Sequence, residues 1–292
     1  MRLGAAWLAP CLAGCATVPV TTASLPLPPA PQGLVPAPPT QADLSVQGDA
    51  AQGGLVTGKV PEGTERLSLD GKDVPVAPDG RFIIGFDRDN PPNSTLVAQV
   101  RGGHILQRIL TVRPRSWDIE HVNVAQRPSG STEEFLRMRK VELARIAAAR
   151  ARSGSSEGWR QSFIWPAKGR ISGVFGSQRI YRGEPGSYHS GVDVAAGAGA
   201  PVVAPADGVV VLAGPPTFSL EGNLLIIDHG MGLNSAFLHL ASQDVREGDV
   251  VKQGQRIGTV GATGRATGPH LHWSMKWGDA RIDPQPLAGP MR

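Results

Sequence analysis

The alternation of apolar and polar positions changes character several times along the chain. From about residue 43 to 126 the apolar residues come in short runs: Leu55-Val56-Thr57, Leu67-Ser68-Leu69, Val74-Pro75-Val76, Phe82-Ile83-Ile84, Leu96-Val97-Ala98 and Ile105 to Leu110. Between them stand Pro61-Glu62-Gly63, Asp70-Gly71, Pro78-Asp79-Gly80 and Gly102-Gly103, which supply the fixed or positive φ that tight turns require. About seven strands at this spacing predict an Ig-like β-sandwich over 43–126. Nothing in this stretch carries chemistry. His104 and His121 have no partner at metal-binding spacing, and Asn93-Ser94-Thr95 is a chance glycosylation spelling.

Over 127–160 the pattern becomes helical. Ser131 with Glu134 is spelled as a capping box, and Thr132-Glu133 offers an overlapping start. Phe135, Met138, Val141, Ile146 and Ala149 recur at helical spacing, which predicts a linker helix from Ser131 to about Ser153 with those residues, Met138 included, packed on a neighbour. From 161 to 292 the chain returns to short apolar runs, among them Gly208 to Val211, Leu224 to Ile227, Ser235 to Leu238 and Arg256-Ile257-Gly258. The expected fold class is mainly all-β.

The N-terminus differs from all of this. Met1-Arg2 precedes an apolar stretch from Leu3 to Gly14, the form of a secretory signal and too short for a membrane span. It ends in Leu12-Ala13-Gly14-Cys15, which resembles the lipobox of bacterial lipoproteins. Residues 1–14 are therefore expected to be a signal peptide, with Cys15 lipidated. Removing them also removes Cys11, leaving no disulfide to hold the fold. Residues 15–42, with Pro26, Pro28, Pro29, Pro31, Pro36, Pro38 and Pro39, read as a semi-rigid extended tether.

Composition agrees with β structure. The 292 residues include 37 glycines and 26 prolines, about a fifth of the chain, more than helix interiors tolerate. The 29 basic and 25 acidic residues give a net charge of +4 with no basic run, so nucleic acid is not an expected partner.

Chemistry concentrates in the last third. His189 and Asp193 stand four apart around Gly191 and Val192, and His270 and His272 two apart in Pro269-His270-Leu271-His272-Trp273. In extended chain each pair shares a face. Two such strands brought together could hold one ion, and two histidines, a carboxylate and water form a common catalytic zinc arrangement. With His239 these make four of the seven histidines, all four in this region.

His189-x3-Asp193, followed by Gly264-Arg265-Ala266-Thr267-Gly268-Pro269-His270-Leu271-His272-Trp273, resembles the lysostaphin/LytM family of zinc metallopeptidases. So do Gly208-Val209-Val210, Asp228-His229-Gly230, Phe237-Leu238-His239-Leu240, Gly248 to Gln255 and Ile257-Gly258, in order over about 163–286. The resemblance implies an antiparallel β-groove. It implies one Zn2+ held by His189, Asp193 and His272, with His239 and His270 beside the metal as catalytic groups that orient and deprotonate water. His229 is expected to be structural. One departure is that Tyr181 and Tyr188 both sit at imperfect spacing for the tyrosine that some members place upstream of the first ligand.

The family's substrates imply a periplasmic endopeptidase that cuts peptide crosslinks of peptidoglycan, of D-Ala–diaminopimelate type, tethered to the outer membrane through Cys15. A regulatory protein partner is compatible with that role. The alternative is an inactive wall-binding or amidase-activating module. Shielding of the groove by the sandwich or the helix would instead make the chain latent, and truncation ahead of Ser155 would then raise activity.

Overall fold

The computed structural model describes residues 43–125, 132–152 and 154–291, all within the compact unit Pro38–Arg292. The signal peptide, Cys15, the tether, Ser131 and Ser153 lie outside the described residues. No helix among the described residues is long and apolar enough to cross a membrane.

The N-terminal part has two antiparallel sheets. Strands β1 (Ser45–Gln47), β2 (Leu55–Lys59) and β5 (Arg81–Gly85) form one in that order. The other runs in the order β4-β3-β6-β7, from β3 (Thr64–Leu69), β4 (Lys72–Asp73), β6 (Asn93–Val100) and β7 (His104–Thr111). Both contribute to one cluster that includes Val56, Leu67, Phe82, Ile84, Leu96 and Leu110. Val74-Pro75-Val76 is not a strand: β4 stops at Asp73, and Pro75 has no N–H to extend the ladder. Val74 is nevertheless buried in that cluster.

The β5 sequence shows why its apolar run is continuous. Phe82 and Ile84 point into the N-terminal cluster, whereas Ile83, on the other face, joins the core of the C-terminal part. A strand buried on both faces has no polar alternation. Further ties cross the same seam: Arg115 pairs with Asp283 at 2.8 Å, and Arg88 donates to the Gly176 carbonyl at 3.0 Å. Strand β8 (Ile119–Val122), within the stretch assigned above to the sandwich, pairs instead in parallel with β10 (Gln178–Tyr181), which also pairs with β11 (Glu184–Pro185).

The C-terminal part is built on a large antiparallel sheet. Its strands are β9 (Arg170–Gly173), β12 (Val192–Ala195), β14 (Gly208–Leu212), β15 (Leu225–Gly230), β16 (Leu233–Leu238), β18 (Val250–Val251), β20 (Leu271–Trp277) and β21 (Ala280–Ile282). The order is β18-β14-β15-β16-β20-β12-β9, with β21 beside β20. A small sheet, β13 (Pro201–Val203), β19 (Arg256–Thr259) and β17 (Ser242–Gln243), stands apart from it, and α2 (Pro284–Ala288) follows β21. On β20, Leu271, Trp273 and Met275 enter the main core, as do Leu233 and Phe237 of β16 and Val192 and Val194 of β12. The alternate residues, His272, Ser274, Lys276, Asn234, Ala236, Leu238 and Asp193, therefore share the opposite face.

Helix α1 (Glu133–Arg150) packs on that opposite face. Its N-cap is Thr132, whose hydroxyl accepts from the Phe135 N–H at 3.1 Å. Ala149 is buried with Val211, Leu212, Ile226 and Ala236. The predicted apolar face is corrected here: Met138 and Val141 are 46% and 70% exposed, so Met138 is not a core residue. The packed side instead presents Arg139, Glu142, Arg145, Ile146 and Ala149. Arg139 reaches both Glu221 oxygens at 2.7 and 2.6 Å, Glu142 accepts from the Ser219 N–H and hydroxyl, and Arg145 donates to the Ala213 carbonyl at 3.2 Å. Ile146 and Ala149 keep the expected apolar packing, but the first half of the helix faces a polar loop, so ion pairs take the place of the contact that periodicity implied there.

Candidate active site

Strand pairing brings the candidate ligands together. Asp193 of β12 lies opposite His272 of β20, which lies opposite Leu238 of β16. His189, four residues ahead of Asp193, comes from the segment leading into β12. His189 Nε2 is 3.1 Å from Asp193 Oδ1 and 3.0 Å from His272 Nδ1, and His272 Nδ1 is 2.9 Å from the same oxygen. Ligand atoms around a tetrahedral zinc, each at about 2.0–2.1 Å, stand about 3.3 Å apart. The three donors fit such an ion in type and spacing, and among the described residues they are the one group that could hold a metal.

Proton positions follow from the outer contacts. His189 Nδ1 lies 3.0 Å from the Val174 carbonyl, which can only accept, so Nδ1 carries the proton and Nε2 turns its lone pair to the cluster. Burial draws the Asp193 carboxyl upward, but hydrogen bonds and charge from His189 and His272 outweigh it and hold Asp193 well below the ordinary carboxylate range. Burial lowers His189, and its Asp193 partner more than offsets this, so the net shift is upward. Burial dominates at His272, which is shifted down.

The other two imidazoles stand next to the cluster. His270 Nδ1 is 2.8 Å from the Gly268 carbonyl, and its Nε2 is 3.8 Å from Asp193 Oδ1. His239 Nδ1 is 2.8 Å from the Thr263 carbonyl, and the two rings lie 5.0 Å apart between centroids. Each carbonyl fixes a proton on Nδ1, so in the neutral tautomer the lone pair is on Nε2. Burial lowers the His239 pKa, with the charges of His270 and His272 adding to it, which favours the neutral ring. His239 has φ of +64°, and its backbone N–H donates to the Glu221 carbonyl at 2.9 Å. The loop that α1 holds through Glu221 thus also holds His239.

Two glycines that residue chemistry alone does not single out make room for the site. A Cβ on Gly173 would stand 2.5 Å from Asp193 Oδ2, and one on Gly191 would stand 2.7 Å from His272 Nε2. Tyr188 is taken up elsewhere: its hydroxyl donates to Asp87 Oδ1 at 2.9 Å and accepts from Arg281 at 2.9 Å. His229 is buried on the core face, away from the ligand face.

A β-sheet face carrying a His-Asp-His cluster with two further imidazoles defines a metallohydrolase-type site. Residues 187–284 match the model of peptidase family M23. A crystal structure from Pseudomonas aeruginosa described as an M23 peptidase superposes with a TM-score of 0.65 and 30% identity over 83% of this chain and 96% of that one. The chain belongs to peptidase family M23. It is 41% identical over 119 residues to the peptidoglycan DD-endopeptidase ShyA of Vibrio cholerae, covering 39% of this chain and 26% of that protein. It is 39% identical over 117 residues to the cell division protein DipM of Caulobacter vibrioides, covering 39% and 18%. The chain therefore spans about a quarter or less of the length of these curated relatives.

Proposed function

We propose that the chain is a zinc metalloendopeptidase that hydrolyses peptide crosslinks of bacterial peptidoglycan, of the DD-endopeptidase class. The observation that carries the reading is the meeting of His189 Nε2, Asp193 Oδ1 and His272 Nδ1 within 3.1 Å of one another, with His239 and His270 alongside. His189, Asp193 and His272 would hold the ion. Zinc bound there supplies Lewis acidity, polarising the scissile carbonyl and making water nucleophilic near neutral pH.

The remaining work belongs to the chain's own side chains. His239 and His270, each with its proton fixed on Nδ1, offer free Nε2 lone pairs that orient the attacking water and accept its proton. The same imidazoles then return that proton to the departing amine, which must leave neutral. Asp193 stays charged throughout, and its negative charge balances the cation. Gly173 and Gly191 keep the floor clear of side chains. The peptidoglycan substrate is supported by ShyA, whose name states that specificity.

Lipidation at Cys15 and tethering to the outer membrane, with the catalytic part in the periplasm, complete the proposal; their support is the lipobox spelling and the proline-rich stretch after it. The test is release of crosslinked muropeptide dimers as monomers from purified peptidoglycan. Loss of dimers with zinc, abolished by a chelator and by His270→Ala, is the expected result. An unchanged dimer content, with bound zinc demonstrated, would refute the enzyme reading.

A further inference from the structure

The sheet face that carries His272 continues along β20 with Ser274 and Lys276. Lys276 lies opposite Asn234 of β16 on one side and Arg281 of β21 on the other, so Asn234, Lys276 and Arg281 form a row across three strands. Arg150, in the last turn of α1, adds a third cation, whose charge acts on both Lys276 and Arg281. Residues from a helix and two strands thus gather three positive charges further along the sheet from the candidate catalytic centre.

None of the three side chains has a carboxylate within ion-pair distance among the described residues, although Asp87 accepts from the Arg281 backbone N–H at 2.8 Å, and Asp87, Asp89 and Asp279 act on the row from further away. Arg281 donates its Nη1 to the neutral Tyr188 hydroxyl at 2.9 Å. Arg150 Nε is buried and unpaired, as is Asn234 Oδ1 in the same row. Most other cations packed against this part are matched, as Arg139 is by Glu221 and Arg115 by Asp283. At Lys276 burial outweighs what Asp279 and Asp87 return, and among the described residues no hydrogen bond from its ammonium offsets the loss of hydration. Burial, opposed in part by Glu221, lowers Arg150 to about 10, and burial together with the Arg150 charge lowers Lys276. An anion accepting from Arg150 Nε and from the Lys276 ammonium would satisfy donors that the described residues leave unpaired, whereas Asn234 Oδ1, an acceptor, calls for a donor instead.

The spacing says which anion. Alternate residues of a strand repeat at about 6.6–6.8 Å, so Lys276 lies about 13 Å along β20 from His272. An extended peptide advancing about 3.4 Å per residue covers that distance in about four residues. We propose that Lys276, Arg281 and Arg150 form a subsite that binds a free carboxylate of the peptide substrate about four residues from the scissile bond. The inference rests on the peptidase reading and specifies which substrates that site prefers.

The experiment uses the full chain, zinc-loaded, and two synthetic crosslinked peptides that differ only in whether the distal carboxylate is free or amidated. In the parent, amidation raises KM about tenfold, the scale of one charge-assisted contact. Lys276→Gln raises KM on the free carboxylate by the same factor and leaves KM on the amidated peptide where it was; Lys276→Arg retains the preference. Thermal unfolding checks that each variant is folded, and Arg281→Gln gives a second variant with the same expected pattern. Equal KM for both peptides in the parent, or an equal loss on both in Lys276→Gln, overturns the subsite. Calorimetric binding of the same two peptides to the chelator-treated chain reads the subsite without turnover. Tighter binding of the free carboxylate with no cleavage by zinc-loaded chain would sink the peptidase reading alone, and cleavage with equal binding would sink the subsite alone.

Discussion

Acidification should destabilise this fold through one imidazole that takes no part in the proposed chemistry. His229 is fully buried on the core face of β15, its ring edge-on to Phe163 at 5.1 Å between centroids. Its Nδ1–H donates to the Asp207 carbonyl at 2.8 Å, and its Nε2 accepts from the Ser235 hydroxyl at 2.9 Å, which itself accepts from Trp273 Nε1 at 3.2 Å. Both ring nitrogens are thus satisfied in the neutral form. Burial is the main cause that lowers its pKa to about 4, from an ordinary value of 6.5. Above 6.5 neither the folded nor the unfolded chain protonates the ring, and stability is at its full value. Between 6.5 and about 4 the unfolded chain takes up the proton and the folded chain does not, so stability falls as pH falls. A tenfold change in proton affinity is worth about 1.4 kcal/mol, so the loss across the window is about 3 kcal/mol, a large share of a typical net stability. The assay is denaturant unfolding from pH 8 to pH 4, in chelator, for the parent and for His229→Gln. The variant is less stable at pH 8, and the two curves converge by about 3 kcal/mol towards pH 4. Curves that stay parallel across the range would refute the assignment of a buried neutral imidazole at this position.

Three further outcomes are expected. Zinc at about a thousand times its Kd adds about 4 kcal/mol to stability, a rise in Tm of roughly 8–16 °C for a chain of this size, and Asp193→Ala removes that rise in a calorimetric scan. Gly191→Ala forces a methyl group against His272 Nε2, so zinc content measured by atomic absorption falls while far-ultraviolet circular dichroism stays unchanged. Arg139→Ala leaves Glu221 and Glu142 half-buried without their cation, costing about 2 kcal/mol. Because the Glu221 carbonyl holds the His239 N–H, kcat falls as well, and truncation ahead of Ser155 lowers activity rather than relieving a block.

The polar side of α1 shows where reading the chain by period reaches its limit. Apolar residues at helical spacing predicted a face with Met138 and Val141 inside, yet periodicity records only which residues are alike, not what the neighbour offers. The neighbour is a loop with Glu221, Ser219 and the Ala213 carbonyl, so Arg139, Glu142 and Arg145 turn inward. Gly173 and Gly191 carried no chemistry of their own in the sequence, because the need for a bare backbone exists only once Asp193 and His272 lie against them.

By itself the sequence specified what local rules govern. The parity of β12 and β20 set the faces of Asp193 and His272, whereas His189 and His270 lie just ahead of those strands; the turn residues bounded the short strands, and Thr132 offered a cap. Tertiary structure decided what depends on distant segments meeting: three candidate ligand atoms within 3.1 Å, the His239 imidazole fixed by the Thr263 carbonyl of another loop, and a cationic row assembled from β20, β21 and α1. The physical reason is range. Backbone conformation and side-chain alternation are set by neighbours along the chain, whereas coordination, desolvation and charge pairing are set by whatever the fold places within a few ångströms.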